Sequence, residues 1–296
     1  MYDRILVPTD GSDYARCAAR HALALAEAFD ADVHVLGAVD VASAAGPFNA
    51  GGVSPEFVDR LEADAESAVE AVASLAGDRD VETAVVRGRP AASILEYADD
   101  HGADLIAMGT RGRTGLSRLV AGSVTESVVR RATVPVLTAN VTDADPVTDY
   151  ERVLIPTDGS RAAGTAVDHG VAVAAATDAT VHALNVVDLG ALASRSGSGP
   201  PTALYEQFVE RGEEATERIA ERAREAGLDA VTEVREGFPG ATLLEYAREA
   251  DASFVAMGTH GRTGVERVVL GSTTERTIRR AEMPVLSVHP GETDAE

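Results

Sequence analysis

The chain has 296 residues, 45% of them hydrophobic, with 48 acidic side chains against 26 basic ones and a formal charge of -22. That length holds one large domain or two ordinary ones, and the charge argues against nucleic acid, whose binding needs cations to neutralise phosphates. Every one of the 26 basic residues is Arg and none is Lys, which excludes a Walker P-loop and Schiff-base chemistry, since both need an amine. An acidic surface with Arg in place of Lys points to a cell that accumulates salt, where repulsion is screened. The alternative is an acidic protein from an ordinary cell, and the missing Lys favours the former. Cys17 is the only cysteine, so an intrachain disulfide and four-cysteine metal sites are excluded. No run reaches the roughly 18 apolar residues of a membrane span. Residues 1–6 read as a strand rather than as a secretory signal. The expectation is a soluble cytoplasmic protein with no membrane insertion.

Ile5 to Val7 reads as a buried strand, and Ala15, Ala18, Ala19, Ala22, Leu25, Ala26 and Phe29 then keep helical spacing on one face. Val33 to Val39 is a second strand, Val41 to Pro55 a loop, and Val58, Leu61, Ala65, Val69, Val72 and Leu75 mark a helix. Val81 to Val86 is a third strand, followed by a helix opening at Pro90, a favoured first helical position. Asp104 to Met108 is a fourth strand. A Gly-rich loop then leads to a helix near Gly122-Ser123 and a last strand, Val134 to Leu137.

The whole order then repeats. Residues 3–12 return as 151–160 with seven of ten positions identical, and residues 108–115 return as 257–264 with seven of eight. Gly122 to Leu137 returns as Gly271 to Leu286. Residues 1–148 carry 23 acids and 12 Arg, and the remainder carries 25 and 14, so each half nets -11. A period this long marks a duplicated domain. The predicted domains are 1–142 and 150–290, joined by a polar linker over 143–149 and followed by a tail, 291–296. Apolar strands alternating with amphipathic helices indicate a mostly parallel α/β sheet covered on both faces. Such sheets bind ligands beyond the carboxyl ends of their strands, where strand order reverses.

Two segments fall at those ends in each half. One is Pro8-Thr9-Asp10-Gly11-Ser12, matched by Pro156-Thr157-Asp158-Gly159-Ser160. The other follows the fourth strand: Gly109, two residues, Gly112, nine residues, Gly122-Ser123, with Gly258, Gly261 and Gly271-Ser272 at identical spacing. Polyphosphate takes several backbone N–H groups, and glycines let the main chain approach it. A helix start adds N–H groups without internal partners and a dipole that favours an anion. Ser123 and Thr125, or Ser272 and Thr274, offer hydroxyls. Arg111 and Arg113 offer charge, and the second copy offers His260 and Arg262 in their place. The plainer reading is a tight crossover loop, with Ser123 an ordinary N-cap and Asp10 a turn residue helping Ser12 cap the first helix.

These residues, with the Arg-Arg-Ala-x-x-Pro-Val-Leu ending, resemble the universal stress protein family in its tandem two-domain form over essentially the full length. The Gly-x2-Gly-x9-Gly-Ser pattern is similar to that of the family's ATP-binding branch; the other branch lacks these glycines and does not bind ATP. With the salt-adapted composition, the source implied is a halophilic archaeon. The resemblance implies two Rossmann-like, doubly wound, five-stranded parallel sheets of order 3-2-1-4-5. Adenine and ribose contacts then fall on Asp10 and the backbone near Ala38, and on Asp158 and Val186. Phosphate contacts fall on Gly109, Arg111, Gly112, Gly122, Ser123, Val124 and Thr125. Their matches are Gly258, His260, Gly261, Gly271, Ser272, Thr273 and Thr274. Pro8, Thr9 and Met108, and Pro156, Thr157 and Met257, flank these contacts. Ala38 is smaller than the usual Val or Ile there. The resemblance also implies an intrachain pseudo-dimer in which the strand Val134 to Leu137 meets Met283 to Val288, with a further homodimer open. Pro135 and Pro284 suit such edge strands.

His34 and His182 recur in the second strands and read as packed core histidines. Cys17, matched by Thr165, has no activating base near it in sequence and reads as a buried thiol. The run Glu206, Glu210, Glu213, Glu214, Glu217 and Glu221 reads as a solvated helix face. No His, Cys or Asp grouping has metal-ligand spacing, so any metal is Mg²⁺ or Mn²⁺ carried by the phosphates. The favoured function is an ATP-binding stress-response or signalling protein whose nucleotide occupancy changes a surface read by an unknown protein partner. The competitors are a slow ATPase or phosphotransferase, and a partner-binding module with vestigial sites. Hydrolysis needs a base or water-positioning group. Only Asp10 and Asp158 recur at a suitable place, while Glu126 and Glu275 suit the helix surface, so no catalytic residue is assigned.

Overall fold

A computed structural model describes residues 1–45, 54–112, 122–140, 148–188, 190, 202–260 and 270–289. The chain divides into two compact units, Met1–Thr148 and Asp149–Glu296. In the first, β1 (Arg4–Thr9), α1 (Asp13–Phe29), β2 (Asp32–Val39), α2 (Val41–Ala45), α3 (Pro55–Ala73), β3 (Val81–Arg87), α4 (Pro90–Asp100), β4 (Leu105–Gly109), α5 (Ser123–Arg131) and β5 (Val136–Ala139) follow in order. The second runs β6 (Arg152–Thr157), α6 (Arg161–Thr177), β7 (Thr180–Asp188), α7 (Thr202–Glu225), β8 (Ala230–Gly237), α8 (Pro239–Glu249), β9 (Phe254–Gly258), α9 (Ser272–Arg280) and β10 (Val285–Val288). Every recorded strand pair within a unit is parallel. The strand orders are 3-2-1-4-5 in the first and, in matching positions, 8-7-6-9-10 in the second.

The central strands are apolar without alternation because helices cover both faces. Ile5, Leu6, Val7, Leu105, Ile106 and Ala107 are buried, as are Val153, Leu154, Ile155, Phe254, Val255 and Ala256. Each large side chain among them contributes about 1.5–3 kcal/mol by leaving water. Helix α1 lays its alanine face, with Leu25, on this layer: Ala15, Ala18, Ala19, Ala22 and Ala26 are all buried. It starts on Ser12, whose hydroxyl accepts from the Ala15 N–H (3.2 Å), and ends on Asp30 at φ 54°. Aspartate is among the few residues besides glycine that enter this left-handed region. Asp178 ends α6 in the same way.

Two sequence expectations need adjustment. The stretch from Val41 is not loop throughout: α2 forms because Asp40 accepts from the Ser43 N–H (2.9 Å) and hydroxyl (2.7 Å), an N-cap arrangement. The last strands also begin later than expected, at Val136 and Val285, because a proline directly before each cannot donate to a ladder. The Pro135 and Pro284 carbonyls still accept, from Ile106 N–H (3.0 Å) and Val255 N–H (3.1 Å). Linker residues 143–147 and the 291–296 tail lie outside the described residues. Helix α7 exposes Glu206, Glu210, Glu213, Glu214, Glu217 and Glu221 while burying Ala215, Ile219, Ala220 and Ala223, as its spacing predicted. Among the described residues no helix is long and apolar enough to cross a membrane.

Candidate functional site

The site begins with a proline in a central strand. Successive residues of a parallel strand turn their N–H and C=O to opposite neighbours. The Asp3 carbonyl accepts from Asp32 N–H beside β2 (2.9 Å), and the Arg4 carbonyl accepts from Asp104 N–H just before β4 (2.9 Å). Counting on, Leu6 and Pro8 face β4, and Pro8 has no N–H to give. Pairing with β4 covers Ile5–Leu105 and Leu6–Ile106, whereas pairing with β2 continues to Thr9–Gly37. The recorded ladder between the two central strands therefore stops short of their carboxyl ends, at the point where strand order reverses and sheets of this kind form a crevice. The second unit repeats the device: Glu151 bonds toward β7, Arg152 toward β9, and Pro156 faces β9 beyond the Leu154–Val255 pair.

Residues after β1 shape one wall of this crevice. The Thr9 hydroxyl accepts from Gly11 N–H (3.1 Å), and Asp10 Oδ1 accepts from Ser12 N–H (3.0 Å). The same bonds recur from Gly159 to Thr157 (3.0 Å) and from Ser160 to Asp158 (2.9 Å). Gly11 and Gly159 both sit at φ 77°, a conformation that makes glycine the natural choice. The turn role weighed for Asp10 is therefore present. Its other oxygen, Oδ2, lies 2.5 Å from where a Cβ on Gly112 would stand. The loop after β4 thus closes onto the Asp10 carboxylate only because residue 112 has no side chain.

The other wall is the end of β4 and the start of α5. A Cβ on Gly109 would fall 2.6–2.8 Å from the Tyr14 main chain and Cβ, so this glycine lets α1 lie against the strand. Gly122 N–H donates to the Thr110 carbonyl (2.8 Å) and Gly271 N–H to the Thr259 carbonyl (2.9 Å). The N-cap of α5 is Gly122, with no side-chain cap; Gly271 occupies the same place before α9. Ser123 and Ser272 are therefore first helical residues, not caps, and both are exposed. By contrast, α1, α3 and α6 each carry a serine cap. Thr125 and Thr274 are buried, and their hydroxyls donate to the Gly109 and Gly258 carbonyls (both 2.8 Å). They tie the helix to the loop, which leaves a ligand the backbone rather than that hydroxyl proton.

The remaining expected residues fall around these walls. Thr9 and Met108 are buried, as is Met257, while Thr157 is half-buried. Val124 and Thr273, one residue into their helices, are also half-buried. Ala38 and Val186 are half-buried one residue beyond the Thr9–Gly37 and Thr157–Asn185 pairs, level with Asp10 and Asp158. Gly261, with Arg113 and Arg262, lies outside the described residues. Glu126 pairs with Arg130 and Glu275 with Arg279 (2.5 Å), each one turn along its helix, so both serve the helix surface. Among the described residues no group of three His, Cys, Asp or Glu could hold a metal ion.

Three contacts at the site had no counterpart in the sequence reading. Arg111 lies over the Tyr14 ring, 5.4 Å from its centroid, and its Nη1 donates to the Tyr14 hydroxyl (2.9 Å). The Thr110 hydroxyl donates to Asn140 Oδ1 (2.5 Å). In the second unit Thr259 Oγ1 stands 2.9 Å from His260 Nδ1 and 3.1 Å from His289 Nδ1. Asn140 and His289 occupy matching places in the repeat, a signal that could have exposed them. Tyr14 is matched by Ala162, so the repeat itself hid it. Cys17 is buried as expected; its thiol reaches the Asn140 carbonyl (3.4 Å), and burial pushes its pKa up, against the pull of Arg20.

The strand order and the glycine-flanked turns together define a doubly wound α/β protein with a matching set of loops at the carboxyl end of the central strands in each unit. The profile of the universal stress protein family matches residues 1–140 and 149–289. A universal stress protein of Methanocaldococcus jannaschii is 38% identical over 139 residues, 47% of this chain and 82% of its own length. One from Mycolicibacterium smegmatis is 29% identical over 296 residues, covering 97% of each chain. The solved structure of a universal stress protein from Archaeoglobus fulgidus matches with a TM-score of 0.72 over 98% of this chain and 97% of its own, at 24% identity, and so shares the fold. The chain belongs to the universal stress protein family, with one such domain in each half.

Proposed function

We propose that each unit binds one ATP and that occupancy alters a surface read by a protein partner, in the manner of a stress-response or signalling protein. The observation that carries this reading is the pairing, in both units, of a helix start without a side-chain cap with the point where strand order reverses and the ladder beyond the strand proline ends. Unpartnered N–H groups and the helix dipole at that place suit phosphate oxygens. Gly109, Gly112, Gly122 and the N–H groups of Ser123, Val124 and Thr125 would hold the phosphates. Asp10 and the backbone near Ala38 would take the nucleoside. Gly258, Gly271, Ser272, Thr273, Thr274, Asp158 and Val186 would do so in the second unit. Mg²⁺ or Mn²⁺ would arrive with the phosphates, supplying charge neutralisation.

Binding is favoured over turnover because Glu126 and Glu275 are held in helix ion pairs, and Asp10 and Asp158 are engaged in their turns. The acidic, lysine-free composition supports a protein that works in concentrated salt. Calorimetry with MgATP in concentrated KCl should give about two sites per chain, one for each glycine loop. Gly122→Val and Gly271→Val should each leave one. No heat from the unaltered protein would sink the reading, and multiple phosphates released per second would make it an enzyme instead.

A further inference from the structure

The two loops do not carry the same cation, nor the same means of holding it. Positions 111 and 260 are structurally equivalent: a Cβ on Gly122 would lie 3.6 Å from Arg111 Cα, and one on Gly271 would lie 3.8 Å from His260 Cα. In the first unit Arg111 rests on the Tyr14 ring and bonds its hydroxyl. Tyr14 is itself fixed, because its main chain and Cβ press on Gly109. One guanidinium donor is thereby committed, and the charge persists at any working pH.

In the second unit the repeat puts Ala162 at the position that matches Tyr14, so the Tyr14 ring and phenol have no counterpart there. His260 turns Nδ1 to Thr259 Oγ1, which His289 Nδ1 also approaches; the two rings are 5.8 Å apart. His260 Nε2 is buried without a hydrogen-bond partner among the described residues. His289 is the titratable group recorded against His260 among the described residues. An imidazole gains its charge over the physiological pH range, unlike a guanidinium.

We infer that the two ATP sites answer differently to pH: beside the Arg113 and Arg262 that both loops share, the first carries a further permanent cation, Arg111, positioned by Tyr14, and the second carries at the same place the imidazole of His260, whose charge comes and goes with its proton. This rests on the ATP reading proposed above. Because a bound polyanion favours the protonated imidazole, proton uptake and ATP binding reinforce each other in the second unit. Its affinity relative to the first should rise by about five-fold or more between pH 8 and pH 6. Protonation of ATP itself acts on both sites and cancels in the ratio.

The test is calorimetry with MgATP at pH 6, 7 and 8 on Gly271→Val, which reports the first unit, and on Gly122→Val, which reports the second. The expected result is the steeper pH dependence in Gly122→Val, flattened when His260→Arg is added. Tyr14→Phe, which keeps the ring and loses the hydroxyl, should weaken the first site without changing its pH slope. Tyr14→Ala with Arg111→His should transfer the slope to it. Equal slopes in both units, with binding intact, would overturn the inference and leave the ATP reading standing. Absence of binding at every pH would remove the reading itself. Should either valine variant fail to fold by circular dichroism, His260→Arg and His260→Gln in the otherwise unaltered chain serve instead. Loss of the pH-dependent part of the two-site isotherm supports the inference, and its persistence overturns it.

Discussion

Imidazoles recur in matched pairs, His21 with His169 on the first helix of each unit and His34 with His182 on the second strand; His21 and His34 are buried and their partners half-buried. His34 Nδ1 lies 3.2 Å from the Tyr97 hydroxyl, and His182 Nδ1 lies 2.9 Å from that of Tyr246. His34 is a packed core histidine, as the sequence predicted, whereas His182 is half-buried. All four have lowered pKa values, each with desolvation as the leading cause. For His21, 3% exposed, burial pushes the value down to about 4. The folded state then refuses a proton that the unfolded chain accepts near pH 6.5. This contribution is complete above about pH 6.5 and is lost as the pH falls toward 4, by up to about 3 kcal/mol. Urea unfolding in constant high salt should show the loss, and His21→Gln should flatten it relative to the unaltered protein. Parallel pH profiles for the two would mean that His21 is not held neutral.

At the scale of elements, two serines in similar settings have different duties. Ser12 caps α1 through its hydroxyl, whereas Ser123 stands one residue inside α5, behind a glycine that supplies no cap. Ser12→Ala should cost about 1 kcal/mol of stability. Ser123→Ala should stay within about 0.5 kcal/mol, as exposed substitutions do. Thermal melts of the two variants decide the matter; a loss at 123 as large as at 12 would return it to an ordinary cap. The sequence reading considered Ser123 as that cap because Gly-Ser before a helix admits two starts one residue apart. Only the backbone chooses between them. Existence and order of the strands were legible, since fully buried strands must be apolar throughout. Their ends were not: Pro135 looked like strand, yet the ladder waits for Val136.

Across the whole molecule, the repeat made the fold and the glycine spacing legible, because duplication shows what both copies retain. It concealed what differs. The Tyr14–Arg111 contact joins residues 97 positions apart, and its partner position holds Ala162, so no periodicity pointed to it. Charge is the other property at this scale. Each half carries a net -11, and the long acidic face of α7 is exposed. Self-repulsion of this kind is screened within about 3 Å at 1 M salt against about 10 Å at 0.1 M. Raising KCl from low to molar concentration should therefore raise the melting temperature. A constant or falling melting temperature would argue that the acidic surface is no adaptation to salt.

The prolines at 8 and 156 have one more implication. An opening made by loose packing can close when neighbouring side chains shift, and one made by a flexible loop can collapse. Here the missing hydrogen is a matter of covalent structure, so no fluctuation of the folded chain can supply it. Each unit therefore keeps the same break in its ladder whatever the side chains around it do.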